Sequence, residues 1–129
     1  MILVDSSVWV DFFQSSPGRA GSELRRMIDE NEPFAITGVV VAEVLQGLTK
    51  DPTPIERLLA ACDMLNPTGF ETYRAAAAIF RAARARGISL TTIDTLIAAI
   101  ASEHGAGVFT LDQEFNRMAR IMSLSLYAY

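Results

Sequence analysis

Lysine, histidine and cysteine each occur once in this 129-residue chain, and each scarcity closes a route. A single cysteine, Cys62, cannot form an intramolecular disulfide. It sits in the apolar run Leu58-Leu59-Ala60-Ala61-Cys62 and reads as a small buried hydrophobe of a reducing compartment. The single histidine, His104, stands before Gly105 where a helix should stop, which excludes histidine-based routes to phosphodiester cleavage. No apolar run approaches the roughly 18 residues of a membrane span. The opening Met1-Ile2-Leu3-Val4-Asp5 has no basic stretch and does not read as a signal peptide. A cytoplasmic protein without membrane contact is therefore expected. The length suits one domain, residues 1–129, able to bury a core without disulfide or metal staples.

Positive charge is also in short supply. The net charge is −4, which speaks against a passive nucleic-acid binder with a basic footprint. It leaves room for an enzyme that gathers carboxylates around cations. Apart from Lys50 every cation is arginine, a residue that grips phosphate or carboxylate through paired hydrogen bonds.

Short apolar runs alternate with longer helical patterns. Ile2–Asp5 reads as a buried strand. Val8-Trp9-Val10 and Phe12-Phe13 open a helix that Ser16-Pro17-Gly18 breaks. Arg19–Glu30 is amphipathic, with Leu24, Met27 and Ile28 inward. Phe34–Thr37 reads as a second strand, with Thr37 placed to cap a helix over Gly38–Leu48. Thr53 is placed to cap a helix from Pro54 to about Met64, and Leu65 with its neighbours suggests a short third strand. Phe70–Arg86 is a long helix stopped by Gly87, and Thr92–His104 a helix stopped by Gly105. Val108–Thr110 is a strand, Asp112–Ile121 a helix and Leu124–Tyr127 a last strand. The alternation predicts an α/β fold, with a parallel sheet of four to five strands between helical layers.

Ligands of such a sheet bind beyond the carboxyl ends of its strands. Four acids fall on that edge. Asp5 ends the first strand, and Asp112 follows the fourth. Asp94 lies in the first turn of the helix that runs down into the fourth strand. Glu43 lies about six residues, or ~9 Å, into the helix leaving the second. Helical acids kept for solubility often have a base three or four residues away, as several do here: Glu23 has Arg19 and Arg26, Asp29 has Arg25 and Arg26, Glu71 has Arg74, Glu114 has Arg117. The four edge acids have none, although Asp11, Glu56, Asp63 and Glu103 share that trait. Carboxylates in apolar surroundings need another source of positive charge, and oxygen-rich sites suit Mg²⁺ or Mn²⁺. Each acid also has a plainer reading: Asp94 completing a capping box with Thr91, Asp112 and Asp5 as helix caps, Glu43 facing solvent beside Gln46.

The motifs themselves resemble a known family. Val4-Asp5-Ser6-Ser7-Val8-Trp9-Val10-Asp11-Phe12 is similar to the opening motif of PIN domains. Ala42-Glu43-Val44-Leu45-Gln46-Gly47 is similar to the second acidic motif, and Asp94-Thr95-Leu96-Ile97-Ala98-Ala99-Ile100-Ala101 to the third. Thr110-Leu111-Asp112-Gln113-Glu114-Phe115 is similar to the fourth. Size and motif wording most resemble the VapC toxins. Two positions depart: Ser7 stands where many relatives carry asparagine, and Glu114 where aspartate is common. The resemblance implies a three-layer α/β/α sandwich, an RNA substrate, Mg²⁺ that Mn²⁺ may replace, a homodimer and a cognate antitoxin.

On that basis Asp5 and Asp94 are expected to ligate metal directly, with Glu43 and Asp112 completing the set or holding metal-bound waters. Ser6 and Thr110 are expected to orient carboxylates or water. Arg74, Arg81 and Arg84 share a helix face that is either solvated or a phosphate or antitoxin contact. Trp9, Phe12 and Phe13 read as core or dimer contacts. A haloacid-dehalogenase-type phosphatase would need an acid at position 7 and a late lysine, and a phosphoacceptor receiver a late lysine; both are missing. A non-catalytic PIN-fold binding module and a PIN-type nuclease outside a toxin–antitoxin system stay open as alternatives.

Overall fold

The computed structural model describes residues Met1–Tyr129. Its elements run β1 (Ile2–Val4), α1 (Ser6–Phe12), α2 (Arg19–Asp29), β2 (Ala35–Ile36), α3 (Gly38–Gln46) and α4 (Thr53–Ala60). They continue with β3 (Asp63–Met64), α5 (Phe70–Ala85), α6 (Thr92–Glu103), β4 (Gly107–Phe109) and α7 (Gln113–Met118). The strands form one parallel sheet in the order β3-β2-β1-β4. Successive residues of a strand point to opposite faces. Leu3 and Val4, Ala35 and Ile36, and Val108 and Phe109 are all fully buried, so helices cover both faces of the inner strands. The fold is the expected α/β/α arrangement.

β1 lies between β2 and β4, so chain order reverses beside it. The register Val4↔Phe109 aligns the carboxyl ends of β1 and β4, and the Asp5 N–H continues the ladder to the Phe109 carbonyl at 2.9 Å. A crevice forms at such a reversal, beyond the strand ends.

Several local expectations change. Thr37 occupies the N-cap position of α3, but its side chain makes no cap bond and its hydroxyl is buried without a partner. Thr53 does not cap α4 either; it lies inside the helix, and Asp51 accepts from its N–H and hydroxyl at 3.1 and 2.7 Å. The third strand is Asp63–Met64, exposed at the sheet edge, and the Leu65 N–H extends its ladder to the Ile36 carbonyl at 2.8 Å. The last strand shrinks to one parallel bridge, Val108↔Leu126. The tail instead turns its rings onto the core: Tyr127 and Tyr129 each lie tilted against Phe109 with ring centroids 4.9 Å apart. The Tyr127 hydroxyl donates to Glu23 at 2.7 Å, and Arg19 donates to the Tyr129 carbonyl.

Trp9 is fully buried, with Phe12, Phe13 and Phe34 packed within 6.0 Å of its ring. Trp9 thus fills the core, while Phe12, Phe13 and Tyr127 are partly buried and Tyr129 is exposed. No helix is long and apolar enough to cross a membrane.

Candidate active site

Asp5 is the most enclosed of the four acids, at 4% exposure. Its Oδ2 accepts from the Ser7 hydroxyl and the Thr110 hydroxyl, both at 2.8 Å. Those hydroxyls are themselves fixed by accepting from backbone: the Leu111 N–H reaches Ser7 at 2.9 Å, and the Asp112 N–H reaches Thr110 at 2.9 Å. The end of β1 and the loop after β4 are thereby stitched together around one carboxylate. Thr110 has the orienting position expected of it. Ser7 does the same, a role the sequence reasoning missed. Its signal was its place two residues after Asp5, in the first turn of α1, where the hydroxyl can turn back to the strand end.

Glu43 is half-buried on α3, not free in solvent beside Gln46. Burial pushes its carboxyl up from the ordinary value, the Ser6 hydroxyl pulls it back, and the negative charges of Asp5, Asp94 and Asp112 push it up further. Ser6 makes no hydrogen bond to Asp5, whose Oδ2 is held by Ser7 and Thr110. The Glu43 Oε1 atom is nevertheless buried with no hydrogen-bond partner.

Asp94 opens α6. Its N–H donates to the Thr91 hydroxyl at 3.1 Å, so the capping half of its plainer reading holds for the backbone. Its carboxyl is raised chiefly by burial, is held down by contact with Thr91, and is raised again by Asp112 and Asp5. Asp112 is the N-cap of α7 and accepts the Glu114 N–H at 2.9 Å. A cap uses one oxygen and leaves the other free.

Four elements thus bring four acids within electrostatic reach of one another. None of the four has an arginine or lysine within ion-pair distance. An unpaired buried charge is costly, so this edge calls for a cation from outside. The donor set is all oxygen, which suits Mg²⁺ or Mn²⁺ and disfavours softer metals. No three of the acids stand close enough to hold one ion among themselves. That spacing accords with Mg²⁺, which usually keeps several waters and takes one or two carboxylates directly. The donor chemistry and the orphaned Glu43 oxygen fit such an ion.

The PIN domain family model matches residues 2–121. The chain belongs to the PIN-domain family. This PIN domain is 38% identical over 133 residues to a VapC ribonuclease of Mycobacterium bovis, covering 100% of this chain and 99% of the relative. The same identity and coverage relate it to ribonuclease VapC11 of Mycobacterium tuberculosis. Its fold matches VapBC2 from Rickettsia felis bound to a promoter DNA fragment, with TM-score 0.77, 19% identity and coverage of 100% and 99%. It also matches VapBC-1 from nontypeable Haemophilus influenzae, with TM-score 0.76, 15% identity and coverage of 98% and 97%. At such identities these two likenesses speak for the fold.

Proposed function

We propose that this PIN domain is a VapC-type ribonuclease, the toxin of a toxin–antitoxin pair, hydrolysing RNA phosphodiesters with Mg²⁺ or Mn²⁺ at Asp5, Glu43, Asp94 and Asp112. The observation that carries the reading is the coupling of four uncompensated acids on one sheet edge, with a buried Glu43 oxygen left unpartnered. The identity to VapC ribonucleases over the whole chain supports it. Asp5 and Asp94 are assigned as direct ligands, with Glu43 and Asp112 completing the set or holding waters. A bound metal pair would supply an activated water and stabilise the leaving oxygen. The protein's own part is to hold the carboxylates in place. Ser7 and Thr110 orient Asp5, and the Thr91 hydroxyl fixes the backbone of Asp94.

Incubation of purified protein with RNA tests the reading. Cleavage should disappear in EDTA and return with Mg²⁺ or Mn²⁺. Full activity in excess chelator would remove the metal, and no cleavage of any cellular RNA under either condition would remove the ribonuclease. Within this reading, Ser7→Ala should raise the Mg²⁺ concentration needed for half-maximal activity by roughly 10–100-fold, the usual cost of losing a partner that orients a ligand. An unchanged Mg²⁺ titration would show that Thr110 alone suffices.

The proposal extends to a cytoplasmic protein held inactive by a cognate antitoxin, whose inserted arginine would meet the acids in place of metal. It also extends to a homodimer, tested by the light-scattering mass of the free protein. A mass near 14.1 kDa at all concentrations would mean a monomer.

A further inference from the structure

An acidic edge repels the polyanion it is meant to cut unless cations flank it. Three of the chain's ten arginines are committed to carboxylates. Arg26 is shared by Glu23, Glu30 and Glu32; Arg74 pairs with Glu71, and Arg117 with Glu114. The cations without a carboxylate include Arg25, Lys50, Arg57 and Arg120, which lie singly on other segments. Only at the C-terminal end of α5 do unpaired cations cluster. Arg81, Arg84 and Arg86 stand there within six positions, all exposed. Residues 81 and 84 fall on one helical face.

That end of α5 also has shape. A concavity of about 320 Å³ between α5 and α6 is lined by Tyr73, Phe80, Arg81 and Thr92 among others. A second, of about 260 Å³, is lined by Phe80, Arg84 and Ser89. The half-buried Phe80 ring is the wall they share, and the Arg84 guanidinium lies over it, 5.8 Å from the centroid. Thr92, on the rim of the first concavity, shares the first turn of α6 with Asp94, which lies on another face of that helix and does not line the concavity. An aromatic ring and an arginine plane, flanked by free guanidinium groups, form the combination that holds single-stranded nucleic acid: bases stack and phosphates pair.

We propose that Phe80, Arg81 and Arg84 form a nucleotide subsite at the end of α6 whose first turn carries Asp94, gripping the RNA strand on one flank of the bond to be cut. One base stacks against Phe80 and Arg84, and a neighbouring phosphate pairs with Arg81. The subsite rests on the ribonuclease reading for its purpose, but it binds RNA independently of cleavage. The rival occupant is a second copy of this chain, and the rival role for the arginines is to satisfy the negative end of α5.

The probe is a fluorescein-labelled 12-nucleotide single-stranded RNA of mixed sequence. Its anisotropy is followed across a potassium chloride series with the full chain carrying Asp94→Asn, and cleavage kinetics are measured in the otherwise native chain. Arg81→Gln should lower the slope of log affinity against log salt by ~0.7, the loss of one single-strand phosphate contact. Phe80→Leu keeps an aliphatic group in the wall and should weaken binding about tenfold without altering the slope. Both should raise KM and leave kcat within about twofold, with unchanged mass by light scattering and an unchanged thermal midpoint.

Unaltered affinity and slope in both variants would overturn the subsite. So would a change in mass, which would make this face a subunit contact, or a lowered midpoint with an unmoved salt slope, which would leave the arginines as helix-end residues. If the RNA binds with the expected slopes yet native protein never cuts it, the ribonuclease reading fails and the subsite stands. If native protein cuts RNA and the variants behave alike, the subsite alone falls.

Discussion

Replacing Asp94 by asparagine is expected to reduce RNA cleavage by about 10³-fold or more while leaving the metal-free protein at least as stable as wild type. The change keeps size and hydrogen-bonding capacity. The cap survives, because the Thr91 hydroxyl accepts from the backbone N–H of residue 94 and not from its side chain. What is lost is the negative charge that would hold metal. Losing about 4 kcal/mol of transition-state stabilisation corresponds to ~10³ in rate.

Stability should respond to pH in a direction opposite to that of an ordinary salt-bridged acid. Burial, then the neighbouring acids, raises Asp94 and Glu43 above their ordinary values. Between the ordinary and the raised value the folded chain binds more protons than the unfolded one. Metal-free stability therefore increases as pH falls into that window and declines as pH rises through it. The Asp94→Asn variant should show a flatter profile, and Mg²⁺ should stabilise wild type more than the variant at neutral pH. Urea midpoints at pH 5.5 and 7.5, with and without Mg²⁺, read all of this. Near-native cleavage by the pure variant would take Asp94 out of the site, and an unfolded variant would make its role structural.

Gly21→Ala is expected to destabilise the fold by about 3 kcal/mol, lowering the thermal midpoint by on the order of 10 °C. Helix propensity alone has the opposite sign, since alanine is favoured over glycine in a helix by about 1 kcal/mol. Packing decides. A Cβ on Gly21 would lie 2.8 Å from the Phe12 nitrogen and 2.9 Å from both the Asp11 carbonyl carbon and the Phe12 Cα. These are backbone atoms of α1, which cannot yield as the end of a side chain can. The helix would have to move away from α2, loosening Trp9 in the core and the Gly21 N–H bond to Asp11 at 2.7 Å. Because α1 begins directly after Asp5, the displacement should reach the acidic edge as well. Gly38→Ala is the control: nothing lies within 4 Å of the added methyl, so stability should hold or rise slightly. A Gly21→Ala protein as stable as wild type would show that the α1–α2 contact is softer than this geometry.

Contacts within a turn or two of one helix were readable in advance. Glu71 meets Arg74 and Glu114 meets Arg117 as their spacing suggests. Gly87 and Gly105 stop α5 and α6 with φ of 74° and 65°, which glycine adopts without strain. The order of strands and helices, and with it the edge carrying Asp5, Glu43, Asp94 and Asp112, followed from hydrophobic period and turn residues. Such features are written into the chain because the partners are neighbours along it.

Partners distant in sequence had to wait for the folded chain. Asp11 and Glu103 passed the same local test as the edge acids, being without a nearby base, yet neither joins the edge. Asp11 accepts from the Gly18 and Gly21 N–H groups at 3.0 and 2.7 Å and holds the start of α2. Glu103 accepts from the Thr72 hydroxyl and from the Thr68 backbone, tying α6 to the approach to α5. Arg26 passes over Asp29 for Glu30 and for Glu32 beyond the helix. Ser7 reaches across to the Leu111 N–H and shares Asp5 with Thr110, more than a hundred positions away. The absence of a local cation says only that a carboxylate must be satisfied from elsewhere. Whether a backbone N–H, a hydroxyl or an added metal does so depends on which strand end or helix start the fold carries to within 3 Å, and that distance is set by packing between elements rather than by spacing along one.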